Sequence, residues 1–150
     1  MLEALWQIRG EIRLVGETSD EVLLDRLDAF LDRQNKPVAV RGPDFVTFDT
    51  SPFEHLLNQW KALNMFEAGR FELGRDSQGR MLRYDLTARH LFLAAAICGG
   101  AGFIVMIGVG DLRYAFYALA GALGWVYGVN LGLALARAPA AIRQALQPLD

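Results

Sequence analysis

Two long apolar segments near the C-terminal end of this 150-residue chain constrain its fold more than any other feature. The first runs from Leu91 to Gly110 and the second from about Tyr114 to Ala136, and neither contains a charged residue. A helix of about 20 residues, at about 1.5 Å per residue, spans the roughly 30 Å hydrocarbon core of a bilayer. The pattern predicts a transmembrane helical hairpin over residues 89–137, with antiparallel helices because the link between them is so short.

Basic residues flank the hairpin on one side and predict its orientation. Arg80, Arg83 and Arg89 precede the first segment and Arg137 follows the second, whereas the link carries one base and one acid. The positive-inside rule then predicts that both termini are cytoplasmic. The N-terminal stretch lacks the apolar run of a secretory leader, so we expect a multi-pass protein of the inner (cytoplasmic) membrane. We expect these four arginines to contact lipid headgroups.

The first 88 residues predict one small α+β domain on the cytosolic side. Alternating apolar residues predict strands at about 6–14, 38–40, 45–48, 70–73 and 80–87. Helical periodicity predicts helices at about 18–34 and 51–66. The first six elements follow the βαββαβ order of a ferredoxin-like fold, with one extra strand at the end. The apolar stripe of the second helix fits either core packing or a helix lying on the headgroups.

The last residues, 138–150, predict a short amphipathic cytosolic tail. Pro139 suits the first turn of a helix, and Ile142, Leu146 and Leu149 follow on one side. We therefore expect a separate helix on the inner membrane surface.

Small residues at helix-packing spacing are the most specific signal in the chain. The second apolar segment has four of them at strict i+4 spacing and one more on the same side, and the first segment has three. Such residues let membrane helices approach closely. They either close the hairpin or dock it onto another protein. The expected contact residues are Ala120, Gly121, Gly124, Gly128 and Gly132 on the second helix, with Ala94, Cys98 and Gly102 on the first.

Asn130 is the one strongly polar side chain in the second segment. At about 100° per residue it lies roughly 200° around the helix from Gly128 and thus off the glycine side. An unpaired amide in hydrocarbon is costly, so we expect Asn130 to meet a partner protein. Tyr127, three residues earlier, is the alternative partner within the same helix.

Four acidic residues follow one face of the first soluble helix. They are Glu21, Asp25, Asp28 and Asp32. A solvated helix face explains them, and a docking stripe for a basic partner is the sharper alternative.

The sequence offers no metal-ligand or catalytic spacing. The two histidines, His55 and His90, and the single cysteine, Cys98, do not converge, and no nucleophile has a matching base. We therefore expect no enzyme activity, no cofactor, no metal and no nucleic-acid partner.

These features favour a structural or accessory subunit of a membrane assembly, whose hairpin docks through its small residues. Its expected partners are membrane lipids and other membrane subunits or a second copy of itself. The alternative is a homo-oligomeric pore gated by the cytosolic domain. A weaker alternative is a sensor that binds a small ligand in that domain.

Overall fold

The computed structural model describes residues 6–16, 18–50, 61–110 and 112–147. The chain has the predicted α+β fold, a five-stranded antiparallel sheet with a helical C-terminal region. The strands are β1 (Gln7–Arg13), β2 (Val38–Arg41), β3 (Phe45–Asp49), β4 (Ala68–Asp76) and β5 (Gly79–Thr87). The helices are α1 (Asp20–Arg33), α2 (Arg89–Gly108) and a 35-residue helix α3 (Leu112–Leu146).

The strand order in the sheet is β1-β5-β4-β3-β2, and all neighbouring pairs are antiparallel. Strands β2 to β5 form a meander because each pairs with the next strand along the chain. The two strands that flank α1 lie at opposite edges, with three strands between them. The pairing therefore differs from the split βαβ unit of the predicted ferredoxin-like order.

One face of the sheet is covered and the other is open. Helix α1, capped by Ser19, buries its apolar stripe on the covered face. Alternation along the strands places Ile8, Ile12 and Leu82 in the same core. The open face carries charged residues in cross-strand ion pairs, including Arg9 with Asp85 at 2.8 Å. Exposed pairs of this kind contribute about 0–1 kcal/mol each.

The second predicted soluble helix falls mostly on residues 51–60, which lie outside the described residues. Residues 61–65 form turns rather than the end of a helix. Leu63 and Phe66 are fully buried in the core cluster. At this end of the segment the apolar side chains therefore pack in the core rather than on a membrane.

Helices α2 and α3 are each long and apolar enough to cross a membrane. Only 11% of the apolar window of α2 and 6% of that of α3 is buried within the protein. A core helix of a soluble protein buries its apolar residues, and these two helices leave theirs exposed. A membrane location explains that exposure.

The predicted tail helix is not a separate element. Helix α3 continues through Pro139 to Leu146, and its C-terminal part covers the sheet beside α1. Ala138, Ile142 and Leu146 are buried in the core, so packing on both sides of Pro139 outweighs the backbone hydrogen bond that proline cannot donate. The residues expected on the membrane surface thus belong to the α+β domain, and Leu149 lies outside the described residues.

Candidate functional site

Helices α2 and α3 pack against each other through small side chains. Ala95 and Gly99 are the buried residues of α2, and Ala115 is buried on α3. A Cβ atom on Gly99 would lie 3.0 Å from Cδ1 of Leu119 and 3.2 Å from Cβ of Ala122. The helices therefore approach so closely that a side chain at Gly99 would require its neighbours to shift by a few tenths of an ångström.

Only one of the three contact residues predicted on α2 faces α3. A Cβ atom on Gly102 would meet Cβ of Ala118 at 3.4 Å. Ala94 and Cys98 are exposed instead, because the buried face of α2 is offset by one residue, to Ala95. Ala94 and Cys98 therefore do not close the hairpin, and the alternative that they dock onto another protein stays a prediction.

The small residues predicted on the second helix face away from α2. Nothing lies within 4 Å of a Cβ atom on Gly121, Gly124 or Gly132, and one on Gly128 would meet only a backbone oxygen of its own helix. Their prediction as contacts with the first helix is therefore wrong. The alternative that they dock onto another protein stays a prediction. We call this surface the glycine face: it consists of Ala120, Gly121, Gly124, Gly128 and Gly132, all exposed.

Helix α3 contains a π-helical stretch, Ala122–Val129, which includes Gly124 and Gly128. Hydrogen bonds in a π-helix run between residues five apart. Residue spacing predicts which small residues share a face of the helix, and these five do share an exposed one. It does not predict which neighbour that face meets, because that depends on tertiary packing.

Asn130 lies at the end of the hairpin nearest the sheet, not in the middle of the membrane segment. The ring of Tyr127 packs edge-on against Phe92, with 5.4 Å between centroids. Asn130 and Arg89 each lie three residues from that contact on antiparallel helices. They therefore lie at about the same height along the hairpin axis. The Asn130 side chain donates from Nδ2 to the carbonyl oxygen of Val126 at 2.5 Å. One of the two N–H donors of its amide is therefore satisfied within its own helix, which weakens the expectation of an external partner.

Glu67 forms a buried polar centre at the base of α2. Its side chain is 9% exposed, and Oε2 accepts a hydrogen bond from the backbone N–H of His90 at 2.7 Å. Nδ1 of His90 lies against the same oxygen, and Nε of Arg89 is 4.0 Å from Oε1. Ala88, at the N-cap, has no side-chain hydrogen bond of its own. Glu67 thus supplies the negative charge and the acceptor that the start of a helix favours.

The base of α2 is also tied to the start of the sheet. The backbone N–H of Ala88 donates to the carbonyl of Trp6 at 2.8 Å, and the rings of Trp6 and Phe92 are 5.8 Å apart. Sequence reasoning missed this centre because Glu67 and His90 are 23 positions apart. Only the pairing of β4 with β5 brings them together.

Two of the four arginines expected at headgroups lie within the α+β domain. Arg80 binds the carbonyl of Thr18 and the carboxylate of Asp20. It is seven residues from Thr87, about 23 Å along the strand that leads to α2. Arg83, on the same strand, pairs with an acid on β1 at 3.1 Å. Both arginines thus have partners within the domain, and their contact with lipid headgroups stays a prediction.

Arg89 and Arg137 lie nearer the base of the hairpin. Arg89 is the first residue of α2, and its side chain is 59% exposed. Arg137 is exposed on α3, about 10 Å along the helix from Asn130. The headgroup prediction stands untested for these two residues.

The acidic face of α1 is partly neutralised within the chain. Arg41 on β2 donates to Asp25 at 2.6 Å and also pairs with Asp28. The hydrogen bonds that Arg41 donates, first to Asp25 and next to Asp28, raise the pKa of Arg41 above its ordinary value. Glu21 and Asp32 have no ion pair with a described residue. Of the four acidic residues predicted as a docking stripe, two are therefore paired with Arg41, and Glu21 and Asp32 remain for a basic partner.

No group of three His, Cys, Asp or Glu side chains could hold a metal ion in the described parts of the chain. His55 lies outside the described residues. Comparison of the chain with models of protein families, with curated protein sequences and with solved structures found no match. Its function is therefore inferred from its geometry and chemistry.

Proposed function

We propose that the chain is a structural or accessory subunit of an assembly in the inner (cytoplasmic) membrane, docked through its glycine face. The observation that carries the proposal is the orientation of Gly121 and Gly124, which face away from α2. Lipid provides no hydrophobic drive for helix pairing, so close packing of small residues is a main source of association. The hairpin closes without these residues, so they are free to pack against another membrane helix. That helix belongs to another membrane protein or to a second copy of this chain.

The attachment of the hairpin to the α+β domain supports a scaffolding role. Only Ala88 separates β5 from α2, and Glu67 holds the first turn of that helix. Helix α3 runs without a break into the core of the domain. A partner on the glycine face is therefore held in a fixed relation to the cytosolic domain.

In this proposal the cytoplasmic boundary of the hydrocarbon core lies at the height of Arg89 and Asn130. Leu112–Val129 then forms the crossing part of α3, about 27 Å long, which matches the roughly 30 Å hydrocarbon core. Arg89 and Arg137 lie on the cytoplasmic side, in keeping with the positive-inside rule. Lipid headgroups contact the hairpin there. Apart from Arg113 and two tyrosines near the link, the exposed described residues of the hairpin between Arg89 and Arg137 are apolar or small. This disfavours the alternative of a pore, because a water-filled lumen needs polar lining.

The proposal is tested by the composition of the complex extracted from native membranes in mild detergent. We expect the chain to co-purify with other membrane polypeptides, or as a multiple of its own mass. Gly124→Leu should disrupt that complex, whereas Gly124→Ala should retain it because alanine also permits close packing. Extraction of the unaltered chain as a lone monomer would contradict the proposal.

A further inference from the structure

A second surface of the α+β domain has the form of a small-molecule site. A cleft of about 520 Å³ opens where the end of β1, the start of α1 and the end of α3 meet. Ile12, Leu23 and Leu146 provide apolar walls, and Arg13, Arg80 and Arg143 lie at its rim. Its volume lies within the roughly 300–1,000 Å³ typical of small-ligand pockets.

Positive charge in this cleft exceeds negative charge. Arg80 is neutralised by Asp20, but among the described residues Arg13 donates only to the neutral side chain of Gln78. Arg143 makes no ion pair with any described residue. The positive charge of Arg143 also acts on Tyr84 of β5. Burial raises the pKa of the Tyr84 hydroxyl group, and the charge of Arg143 opposes that rise. Two guanidinium groups are therefore available to an anion.

The shape of the cleft selects an anion with an apolar body. A guanidinium group binds carboxylate or phosphate through paired N–H donors. A cleft of about 520 Å³ with leucine and isoleucine walls is much larger than a bare inorganic anion requires. An apolar body attached to the anionic group would cover the walls and the fully exposed side chain of Val15.

The position of the cleft indicates a ligand from solution rather than a bilayer lipid. Arg80 lies about 23 Å along β5 from Thr87, which precedes the hairpin. Arg143 lies 13 residues beyond Asn130, about 20 Å along α3. Both distances exceed the reach of an arginine at the membrane boundary.

We propose that this cleft binds a water-soluble organic anion, with the charged group on Arg143 and Arg13 and the apolar body against Leu146 and Val15. The site is independent of the docking proposal. Arg143 and Leu146 belong to α3, the same helix that carries the glycine face. A ligand in the cleft would therefore contact the helix that enters the membrane.

The test uses naphthalene-1-sulfonate as the probe and the full chain in nanodiscs of zwitterionic lipid. Equilibrium dialysis against empty nanodiscs measures the bound fraction. We expect saturable binding of one probe per chain. Arg143→Gln should weaken it about tenfold, as loss of a charge-assisted hydrogen bond does. Val15→Asp, in the connection between β1 and α1, should also weaken binding, because the new carboxylate repels the anionic probe. Thermal unfolding of both variants should match that of the unaltered chain, since both side chains are exposed.

Arg137→Gln is the matched control, because Arg137 is also exposed on α3 but does not line the cleft. It should leave the dissociation constant unchanged. Inorganic sulfate should compete only weakly. The proposal is overturned if binding does not exceed that of empty nanodiscs, if Arg137→Gln and Arg143→Gln weaken it equally, or if sulfate alone binds as tightly as the probe.

Discussion

Among the described glycines of the hairpin, Gly99 lies closest to the opposite helix. A Cβ atom there would lie 3.4 Å from the carbonyl oxygen of Leu119, in addition to the side chains it would crowd. A backbone atom cannot move away without shifting its helix. The close approach therefore depends on the absence of a side chain at this one position.

We expect Gly99→Leu to destabilise the hairpin by about 1–3 kcal/mol, the usual cost of overpacking a tight contact. Thermal unfolding in detergent, followed by circular dichroism, measures the effect. Gly100→Leu is the control, because nothing lies within 4 Å of a Cβ atom on Gly100. The change in helix propensity is the same in both variants. Equal destabilisation by both would show that α3 does not pack on Gly99.

Glu67 is the second residue with a specific structural demand. We expect Glu67→Ala to destabilise the chain by about 1–3 kcal/mol, because it leaves the N–H of His90 and the start of α2 without their acceptor. Thermal unfolding again measures the effect, and Glu67→Gln should recover part of it by keeping an acceptor oxygen.

The control is Glu72→Ala, on the strand β4 that follows Glu67, where the ion pair with Arg70 is exposed. Such a pair contributes about 0–1 kcal/mol. If Glu67→Ala costs no more than Glu72→Ala, Glu67 does not cap α2.

Residue roles were predictable from the sequence only where they depend on local spacing. The apolar stripe of α1 follows helical periodicity, and its five residues are buried as the pattern predicts. Glu67 follows no such pattern, because its partner His90 is brought close by strand pairing. Likewise, Arg80 lies near the hairpin in sequence, but it is at the end of β5 far from α2 and pairs with Asp20.

At the scale of elements, α3 joins two environments in one helix. Its N-terminal half has exposed apolar residues, and its C-terminal part is buried on the sheet. Sequence periodicity predicted both halves as helical but divided them at Pro139. The division was wrong because burial of Ala138 and Ile142 depends on tertiary packing that periodicity does not report.

We expect Ile142→Ala to destabilise the α+β domain by about 2–5 kcal/mol, because Ile142 is fully buried. Ile104→Ala, in the hairpin, is the control, since Ile104 is 71% exposed within the protein. Amide hydrogen exchange of the sheet strands reports domain stability directly. Unchanged exchange in Ile142→Ala would mean that the C-terminal part of α3 lies elsewhere, as on the membrane surface.

At the scale of the whole molecule, the sheet and the hairpin form one connected unit that exposes the glycine face. The α+β class and the apolar hairpin were predictable, because each element has a clear periodicity or length. The sheet order was not, because strand pairing depends on contacts between distant residues. The direction of the glycine face was not predictable either, because residue spacing shows which side chains share a face but not which neighbour that face meets.

The most direct test is to place a photo-crosslinking amino acid at Gly124 and irradiate native membranes. We expect an adduct between this chain and a protein of defined mass, because we propose that the glycine face packs against another membrane helix. The same amino acid at Ile104, which is exposed on α2, should give lipid adducts without a defined protein partner. If position 124 gives only lipid adducts, as position 104 does, the glycine face meets lipid and the docking function is contradicted.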